Sequence, residues 1–205
     1  MSARFTFTQS GIDHFISSPE KNEDRDFILD YLRKSHCISM SVSELDNTID
    51  MDKKQITKKI YHMLKHGWMS SINESENKSS DSEVFENFSL DTQLAELSIS
   101  HSAMLVDMSG LIIASSGFST IDCDYLAASA TALALINDIT QSRNKELCNN
   151  TPWSLNMNWG ELKVMTQLVC IGPLKFVLIT GDHSDLNVQA LIKLIAMLAR
   201  RYISG

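Results

Sequence analysis

The chain has 205 residues, of which 43% are apolar and 21% are charged, and its net charge is −7. This composition is ordinary for a globular protein of one or two domains, and with three prolines and eight glycines it excludes collagen-like and low-complexity chains. The acidic balance argues against a protein that coats nucleic acid with a uniformly basic surface, although it allows a local basic patch.

The sequence carries no sign of export or of a metal centre. MSARFTFTQSG contains no apolar run of the kind found in secretory signals. The four cysteines are far apart, without a CxxC pair or a metal-binding spacing, which is typical of reduced thiols. Lys193, Arg200 and Arg201 interrupt the most apolar stretch, 186–203, which predicts a buried helix rather than a membrane span. We expect a cytoplasmic protein without metal or cofactor.

The excess negative charge is concentrated in one segment. Residues 73–100 carry seven acidic side chains and one basic one, a balance of −6. The first part of this segment contains no apolar residue and cannot bury a core. We interpret 73–87 as an acidic polar linker, or as the tip of a long hairpin. It would separate an N-terminal module at 22–72 from a C-terminal module at 88–205, with 1–21 as an N-terminal tail.

The N-terminal module begins with two predicted helices. Amphipathic spacing predicts the first over residues 24–36. Ser41 and Glu44 have the spacing of a capping box and open a second, short helix that ends near Thr48.

A third helix follows, and it is basic. Asp52 and Gln55 repeat the capping-box spacing, the helix runs to about His66, and Gly67 occupies the position after the C-cap. Residues 68–72 then alternate like a short strand. His62, four residues before His66, has no third metal ligand near it in sequence, so we interpret the two histidines as an exposed pair.

This order of helix, short helix, basic helix and strand resembles a winged helix-turn-helix over residues 22–72, with Val84 and Phe85 as a return strand. The resemblance implies that the third helix is a recognition helix for DNA. Its candidate nucleic-acid contacts are Lys53, Lys54, Gln55, Thr57, Lys58 and Lys65. The alternative is a solvated face on a protein-binding module, because the module is nearly neutral and this helix has no arginine.

The C-terminal module predicts a mixture of helices and strands. A first helix ends near Ser100, and a hairpin covers 101–115 with Gly110 in its turn. The remaining elements are an Ala-rich helix over 122–143, strands at 153–159, 162–171 and 174–180, and a last helix from about Asp185 to Tyr202. The order α-β-β-α-β-β-β-α fits an α+β domain with a five-stranded antiparallel sheet.

The string MLVDMSGLIIAS at 104–115, the Ala-rich helix and the strand 174–180 resemble the roadblock/LC7 family over residues 88–205. Members of that family are not enzymes, form dimers by joining their sheets edge to edge and packing their second helices, and often partner small Ras-like GTPases. Carried onto this chain, the resemblance implies a dimer interface on 122–143 and 153–159. Its candidate residues are Ala127, Ala130, Thr131, Ala134, Asp138, Leu155 and Met157. The alternative is that the alanines pack against their own sheet.

The sequence has neither a phosphate-binding GxxxxGK[ST] loop nor a GxSxG elbow, the two commonest short catalytic signatures for phosphate and ester chemistry. The polar loop 181–185 is interpreted as a turn in which Ser184 or Asp185 caps the last helix. Asp107 is expected to serve the hairpin turn, Asp122 and Asp124 to begin a helix, and Cys123 to be a structural thiol.

The sequence therefore predicts a non-enzymatic regulatory or adaptor protein. It would form a homodimer through its roadblock-like domain and bind a protein partner, for which the resemblance suggests a small Ras-like GTPase. The alternative is a dimeric winged-helix DNA-binding transcriptional regulator. A weaker third reading is an enzyme or small-molecule sensor that uses a pocket between sheet and helices.

Overall fold

The structure, a computed structural model, describes residues 4–17, 22–34, 39–72, 89–143, 153–181 and 186–203. The first half of the chain contains β1 (Arg4–Phe7), α1 (Gln9–Ile16), α2 (Glu23–Lys34), β2 (Met40–Ser41), α3 (Val42–Thr48), α4 (Lys53–Lys65) and β3 (Met69–Ile72). The second half contains α5 (Leu90–Ala95), β4 (Ala103–Asp107), β5 (Ile112–Ser116), α6 (Thr120–Arg143), β6 (Ser154–Trp159), β7 (Leu162–Ile171), β8 (Leu174–Gly181) and α7 (Val188–Tyr202). None of the helices in these ranges is long and apolar enough to cross a membrane.

The second half is built on a five-stranded antiparallel sheet with the strand order β5-β4-β8-β7-β6, which confirms the predicted sheet. The interior strand β4 is buried on both faces at its first four residues, in agreement with its continuous apolar sequence. The edge strand β6 instead alternates between half-buried and exposed side chains, because one of its faces meets solvent.

Helices cover both faces of this sheet. The inner side of α6 packs on one face, in a cluster with Met104, Val164 and Ile179. On the other face α5 and α7 pack against Leu105, Val169 and the other strand side chains that alternate with those beneath α6. The sheet is therefore the middle layer of the domain.

Helix α7 connects the two halves of the chain. It packs against β7 on one side and against α1 and α2 on the other. Nine of its residues between Ala190 and Ala199 are buried, and the Arg200 Nε–H donates to the Arg33 carbonyl at 3.1 Å. A single hydrophobic cluster runs from the sheet through α7 into the first half. The linker expected at 73–87 and the return strand expected at Val84 and Phe85 lie outside the described residues.

The amino-terminal residues form regular structure, contrary to the expectation of a tail. β1 is the middle strand of a second, three-stranded antiparallel sheet with the order β2-β1-β3. Phe5 and Phe7 alternate with polar residues and are buried. Thr8 then caps α1 by accepting a hydrogen bond from the Gly11 N–H at 3.1 Å. Three alternating residues are too short a pattern to predict a strand, which is why the segment was missed.

The helix caps follow the sequence in part. The capping box between Ser41 and Glu44 is complete, with both reciprocal hydrogen bonds present. The second capping box is not formed, because Asp52 is the N-cap of α4 but its side chain makes no capping bond. The side chain of Asn187 caps α7, rather than that of Ser184 or Asp185, which lie outside the described residues.

Two helices of the second half also differ in length from the prediction. The helix expected to end near Ser100 is short: α5 ends at Ala95, and the chain turns before His101, whose φ is 55°. The long helix α6 begins at Thr120, because the Ser119 hydroxyl accepts from the Asp122 N–H and donates to the Asp122 carboxylate.

Candidate functional site

The side chains predicted to contact nucleic acid all lie on the exposed face of α4. These residues are Lys53, Lys54, Gln55, Thr57, Lys58 and Lys65. Lys59, which the sequence pattern left out, lies on another side of the helix, where its Nζ pairs with Asp24 at 3.1 Å and lies 3.7 Å from Glu23. The structure therefore brings the four predicted lysines together on one surface.

An acidic groove lies beside the start of α4. Its floor contains Phe27, Ile49 and Met51, and its volume is about 400 Å³. Four carboxylates line its rim together with Lys59; they belong to Glu23, Asp26, Asp30 and Asp50. A polyanion approaching the lysine face of α4 would meet this negative potential at one end.

His62 of α4 and His66 at its C-cap are both exposed, as expected, and each ring contacts Trp68. The His66 ring stacks on Trp68 with centroids 4.9 Å apart, and the His14 ring stacks on the same indole at 3.8 Å. His62 approaches the indole edge-on at 5.8 Å, and its Nδ1 lies 3.3 Å from the Asp24 carboxylate. This cluster fastens α1 to the end of α4.

Burial lowers the pKa of His14, and the neighbouring Arg25 guanidinium lowers it further. The Nε2 atom of His14 is buried and has no hydrogen-bond partner within the described ranges. The Arg25 Nε–H donates to the His14 carbonyl at 3.0 Å, and a terminal N–H of Arg25 donates to Ser17 Oγ at 3.0 Å. Arg25 therefore fixes α1 to α2.

The alanines predicted at a dimer interface lie on the inner side of α6. Ala127, Ala130 and Ala134 are buried in the cluster that contains the side chains of β4, β7 and β8. Thr131 is also buried, and its Oγ1 has no hydrogen-bond partner in the part of the chain that the structure describes. A second molecule approaching α6 would not reach these alanines, because they pack against their own sheet.

The outer side of α6 is apolar as well. Its large side chains have high exposed fractions: Ile121 71%, Tyr125 59%, Leu135 43%, Ile136 61% and Ile139 54%. The exposed Ala128 and Ala132 lie between them. The positions 121, 125, 128, 132, 135 and 139 alternate in spacing by four and three, as in the seam of a coiled coil. We call this outer side, with these six positions and Ile136, the α6 seam.

A groove of about 340 Å³ runs along the flank of the α6 seam. Ser109, Gly110 and Ile112 of the β4–β5 hairpin form one wall, and α6 residues between Asp124 and Leu135 form the other. Gly110 has a φ of 87°, which suits glycine, and a side chain there would project over the Thr131 hydroxyl. The Asp107 carboxylate holds this turn by accepting from Ser109 and Leu111, and the Ser109 hydroxyl in particular lowers the Asp107 pKa.

Strand β6 lies at the open edge of the sheet. Leu155 and Met157 are half-buried and pair with Thr166 and Val164, so they face the same side of the sheet as α6. Within the described residues no strand pairs with the outer edge of β6. The opposite edge, β5, is covered by α5, whose Asp91 carboxylate accepts from the Ser115 N–H.

The remaining candidate residues have structural partners. Asp138 forms an ion pair with Lys175 of β8. Cys123 is buried in the cluster beneath α6. Burial raises the pKa of the Cys170 thiol to about 11, so this cysteine is uncharged at neutral pH.

The α6 seam was missed at the sequence level, although its heptad spacing was available. The alanines at 127, 130 and 134 indicate the opposite side of the helix as an interface, because small residues also permit close packing between helices. Because both sides of α6 are apolar, the local sequence does not specify which side faces the sheet.

Comparison with known proteins finds likeness only at the level of structure. No protein-family model matches the sequence, and no curated protein matches it. The chain is similar to a roadblock/LC7 domain from Streptomyces avermitilis, with 16% identity and a TM-score of 0.37 over 54% of this chain and 88% of that one. It is also similar to MglB of Myxococcus xanthus, with 18% identity and a TM-score of 0.33 over 55% of this chain and 85% of that one.

Proposed function

We propose that this protein is a non-enzymatic regulatory adaptor that forms a homodimer through the α6 seam and strand β6. The observation that carries the proposal is that α6 is apolar on both sides. A helix that is apolar all round is normally buried all round. The inner side of α6 is already buried by its own sheet. We therefore expect a second protein surface to bury the outer side.

The size of the α6 seam supports a stable contact. Taking about 200 Å² for each fully exposed large side chain, the five exposed fractions correspond to roughly 600 Å² of apolar surface. This is at the upper end for the largest apolar patch on a monomer, roughly 300–600 Å². Specific interfaces bury about 800 Å² per partner, so the α6 seam would supply most of one.

Strand β6 would extend the interface. The side chains of Leu155 and Met157 face the same side of the sheet as α6, and the outer backbone groups of β6 can pair with a second copy. An antiparallel pairing of β6 with β6 of a second copy would continue the sheet across the two molecules. Leu155 and Met157 would then join the interface, as the sequence resemblance implied.

The dimer would leave the α4 face open. α6 packs on one face of the five-stranded sheet, and the first half of the chain packs behind α7 on the other. We propose that the surfaces outside the dimer interface bind a protein partner. The resemblance to roadblock/LC7 domains makes a small Ras-like GTPase the first partner to test.

The dimer is tested by Ile136→Lys on the α6 seam. Each dimer would lose two buried isoleucines, each worth about 1.5–3 kcal/mol, so the dissociation constant should rise at least about 100-fold. Tyr61→Lys is a matched control, because Tyr61 is 69% exposed and Ile136 is 61% exposed, but Tyr61 lies on α4. The mass of each variant would be measured by light scattering at micromolar concentration. A monomeric wild type, or an Ile136→Lys variant as dimeric as Tyr61→Lys, would contradict the proposal.

The second candidate function is DNA binding by α4. It is favoured by the four exposed lysines on one face of the helix and disfavoured by the acidic groove at its start. Binding to mixed-sequence duplex DNA across a salt series would decide, because the log–log slope falls by about 0.9 for each phosphate contact. A slope of several units that is reduced by Lys54→Glu with Lys58→Glu would establish DNA binding. Absence of binding at low salt would mean that these lysines contact solvent or a protein rather than DNA.

A further inference from the structure

We propose that the two β6 strands of the dimer pair in a single register, in which Asn156 of one copy lies opposite Asn156 of the other on the two-fold axis. This inference rests on the proposed dimer and specifies how its two sheets join. It follows from the direction of the backbone hydrogen bonds of β6, from the two ends of the strand and from the side chains along it.

The backbone of β6 presents alternate residues to the open edge of the sheet. The Leu168 N–H of β7 donates to the Trp153 carbonyl at 3.1 Å. The Leu155 carbonyl, two residues further along, accepts from the Thr166 hydroxyl of β7 at 3.1 Å. In an antiparallel ladder the direction of these backbone groups alternates from one residue to the next. The N–H and C=O groups that point to the open edge therefore belong to Ser154, Asn156 and Asn158.

Only an axis at Asn156 uses all of these outward groups. It places Ser154 of each copy opposite Asn158 of the other. A shift of the axis by one residue towards the amino terminus would require Asn158 to pair with residue 152, which is a proline and has no N–H. A shift by one residue the other way would place Ser154 opposite Gly160, which follows the end of the strand and has a φ of 60°. Both ends of β6 therefore favour the axis at Asn156.

The side chains match on both faces of the joined sheet. On the α6 face Leu155 lies opposite Met157 of the second copy, in a non-hydrogen-bonded pair, where side chains approach most closely. On the other face the two Asn156 amides lie opposite each other, and each offers both a donor and an acceptor. Residues 153–159 carry no charged side chain, so the edge lacks the charges by which edge strands commonly avoid pairing.

Cysteine cross-linking measures the register. Asn156→Cys places two thiols opposite each other on the axis, where the Cα separation is within the roughly 7 Å that a disulfide can span. The matched controls are Ser154→Cys and Asn158→Cys, at exposed positions on the same face of β6. In each control the two thiols are about 13 Å apart along the strand. In a glutathione redox buffer, Asn156→Cys should form cross-linked dimers at least about tenfold faster than either control, whereas the two control substitutions combined in one chain should also cross-link.

Cross-linked dimer is quantified on non-reducing gels, with wild type as the background from the four native cysteines. Light scattering of the reduced variants shows whether each still dimerises. Faster cross-linking of Asn156→Cys supports the inference. Equal cross-linking of all three single variants, or a faster control, overturns the register while leaving the dimer intact. A monomeric wild type overturns both the inference and the proposed dimer.

A charge at the axis gives a second readout that needs no thiol. Asn156→Asp places two carboxylates directly opposite each other, whereas Ser154→Asp places each carboxylate opposite Asn158. At neutral pH, Asn156→Asp should raise the dissociation constant about fivefold more than Ser154→Asp, and the difference should disappear below about pH 4, where the carboxylates are protonated. Equal effects of the two substitutions at neutral pH would place the axis elsewhere.

Discussion

Replacing Gly11 by alanine tests whether the amino-terminal segment is docked as the structure shows. Gly11 lies inside α1, and in an exposed helix Gly→Ala would stabilise by about 1 kcal/mol. Here a Cβ at position 11 would lie 2.0 Å from the Trp68 carbonyl oxygen and 2.8 Å from its carbon. Both neighbours are backbone atoms, so the clash is relieved only if α1 moves away from the start of β3.

That movement would break the contacts that hold Thr8 to the same turn. The Thr8 N–H donates to the Trp68 carbonyl at 3.0 Å, and the Thr8 hydroxyl donates to the Gly67 carbonyl at 2.6 Å. Two hydrogen bonds at about 1 kcal/mol each, with about 1–3 kcal/mol of overpacking, outweigh the gain in helix propensity. We expect a net loss of about 2–4 kcal/mol.

The assay is urea unfolding followed by circular dichroism, with Ser10→Ala as the matched control. Ser10 is the exposed neighbour of Gly11 on α1, so its replacement should change the free energy of unfolding by no more than about 0.5 kcal/mol. If Gly11→Ala were as stable as wild type or more stable, α1 would not pack on Trp68, and the segment would behave as the tail first expected.

Three further predictions concern single side chains. Because burial and Arg25 lower the pKa of His14, its imidazole is protonated at a higher pH in the unfolded chain than in the folded one. The free energy of unfolding should therefore fall as the pH drops below about 6.5. His14→Gln should lessen the fall in melting temperature between neutral and acid pH. Arg25→Met should cost about 2–4 kcal/mol in chemical denaturation, because it leaves buried acceptors on α1 unpaired. Asp107→Ala should cost about 1–2 kcal/mol at neutral pH, because one carboxylate oxygen accepts three hydrogen bonds; since its pKa is lowered, this stabilisation is lost as the pH falls through the folded-state pKa, below about 4.

Each of these three predictions has an outcome that would contradict it. An unchanged pH profile in His14→Gln would mean that the imidazole titrates as in the unfolded chain. A neutral Arg25→Met would mean that α1 and α2 do not depend on the buried guanidinium. An Asp107→Ala variant that loses as much stability at acid pH as at neutral pH would assign the loss to packing rather than to the carboxylate.

The parts of the fold that the sequence predicts are those that depend on the local spacing of apolar and polar residues. The alternation of β6, the apolar run of β4 and the capping box at Ser41 each depend on neighbours within a few residues, and the sequence indicated all three. The strand β1 and the α7 cap at Asn187 were not indicated. β1 exists because β2 and β3 pair with it on both sides, and those contacts are distant in sequence.

The candidate site likewise has one part that local spacing predicts and one part that it does not. The exposed lysines of α4 follow from helical spacing and from the apolar side that Ile56, Ile60 and Met63 bury. The α6 seam does not follow in the same way, because α6 is apolar on both sides and local spacing cannot say which side its own sheet takes.

The positions of β1 and α7 have a consequence for synthesis of the chain. Strand β1 is the middle strand of its sheet, and its partner β3 is complete only at residue 72, roughly 3–14 s after β1 at ribosomal rates of about 5–20 residues per second. Helix α7, which is synthesised after all the other described elements, lies between the two halves of the common core. Until α7 emerges, the apolar surface of α1 and α2 that it covers stays exposed in the nascent chain. A carboxy-terminal truncation within α7 should consequently cause the first half to aggregate, although it removes no residue from it.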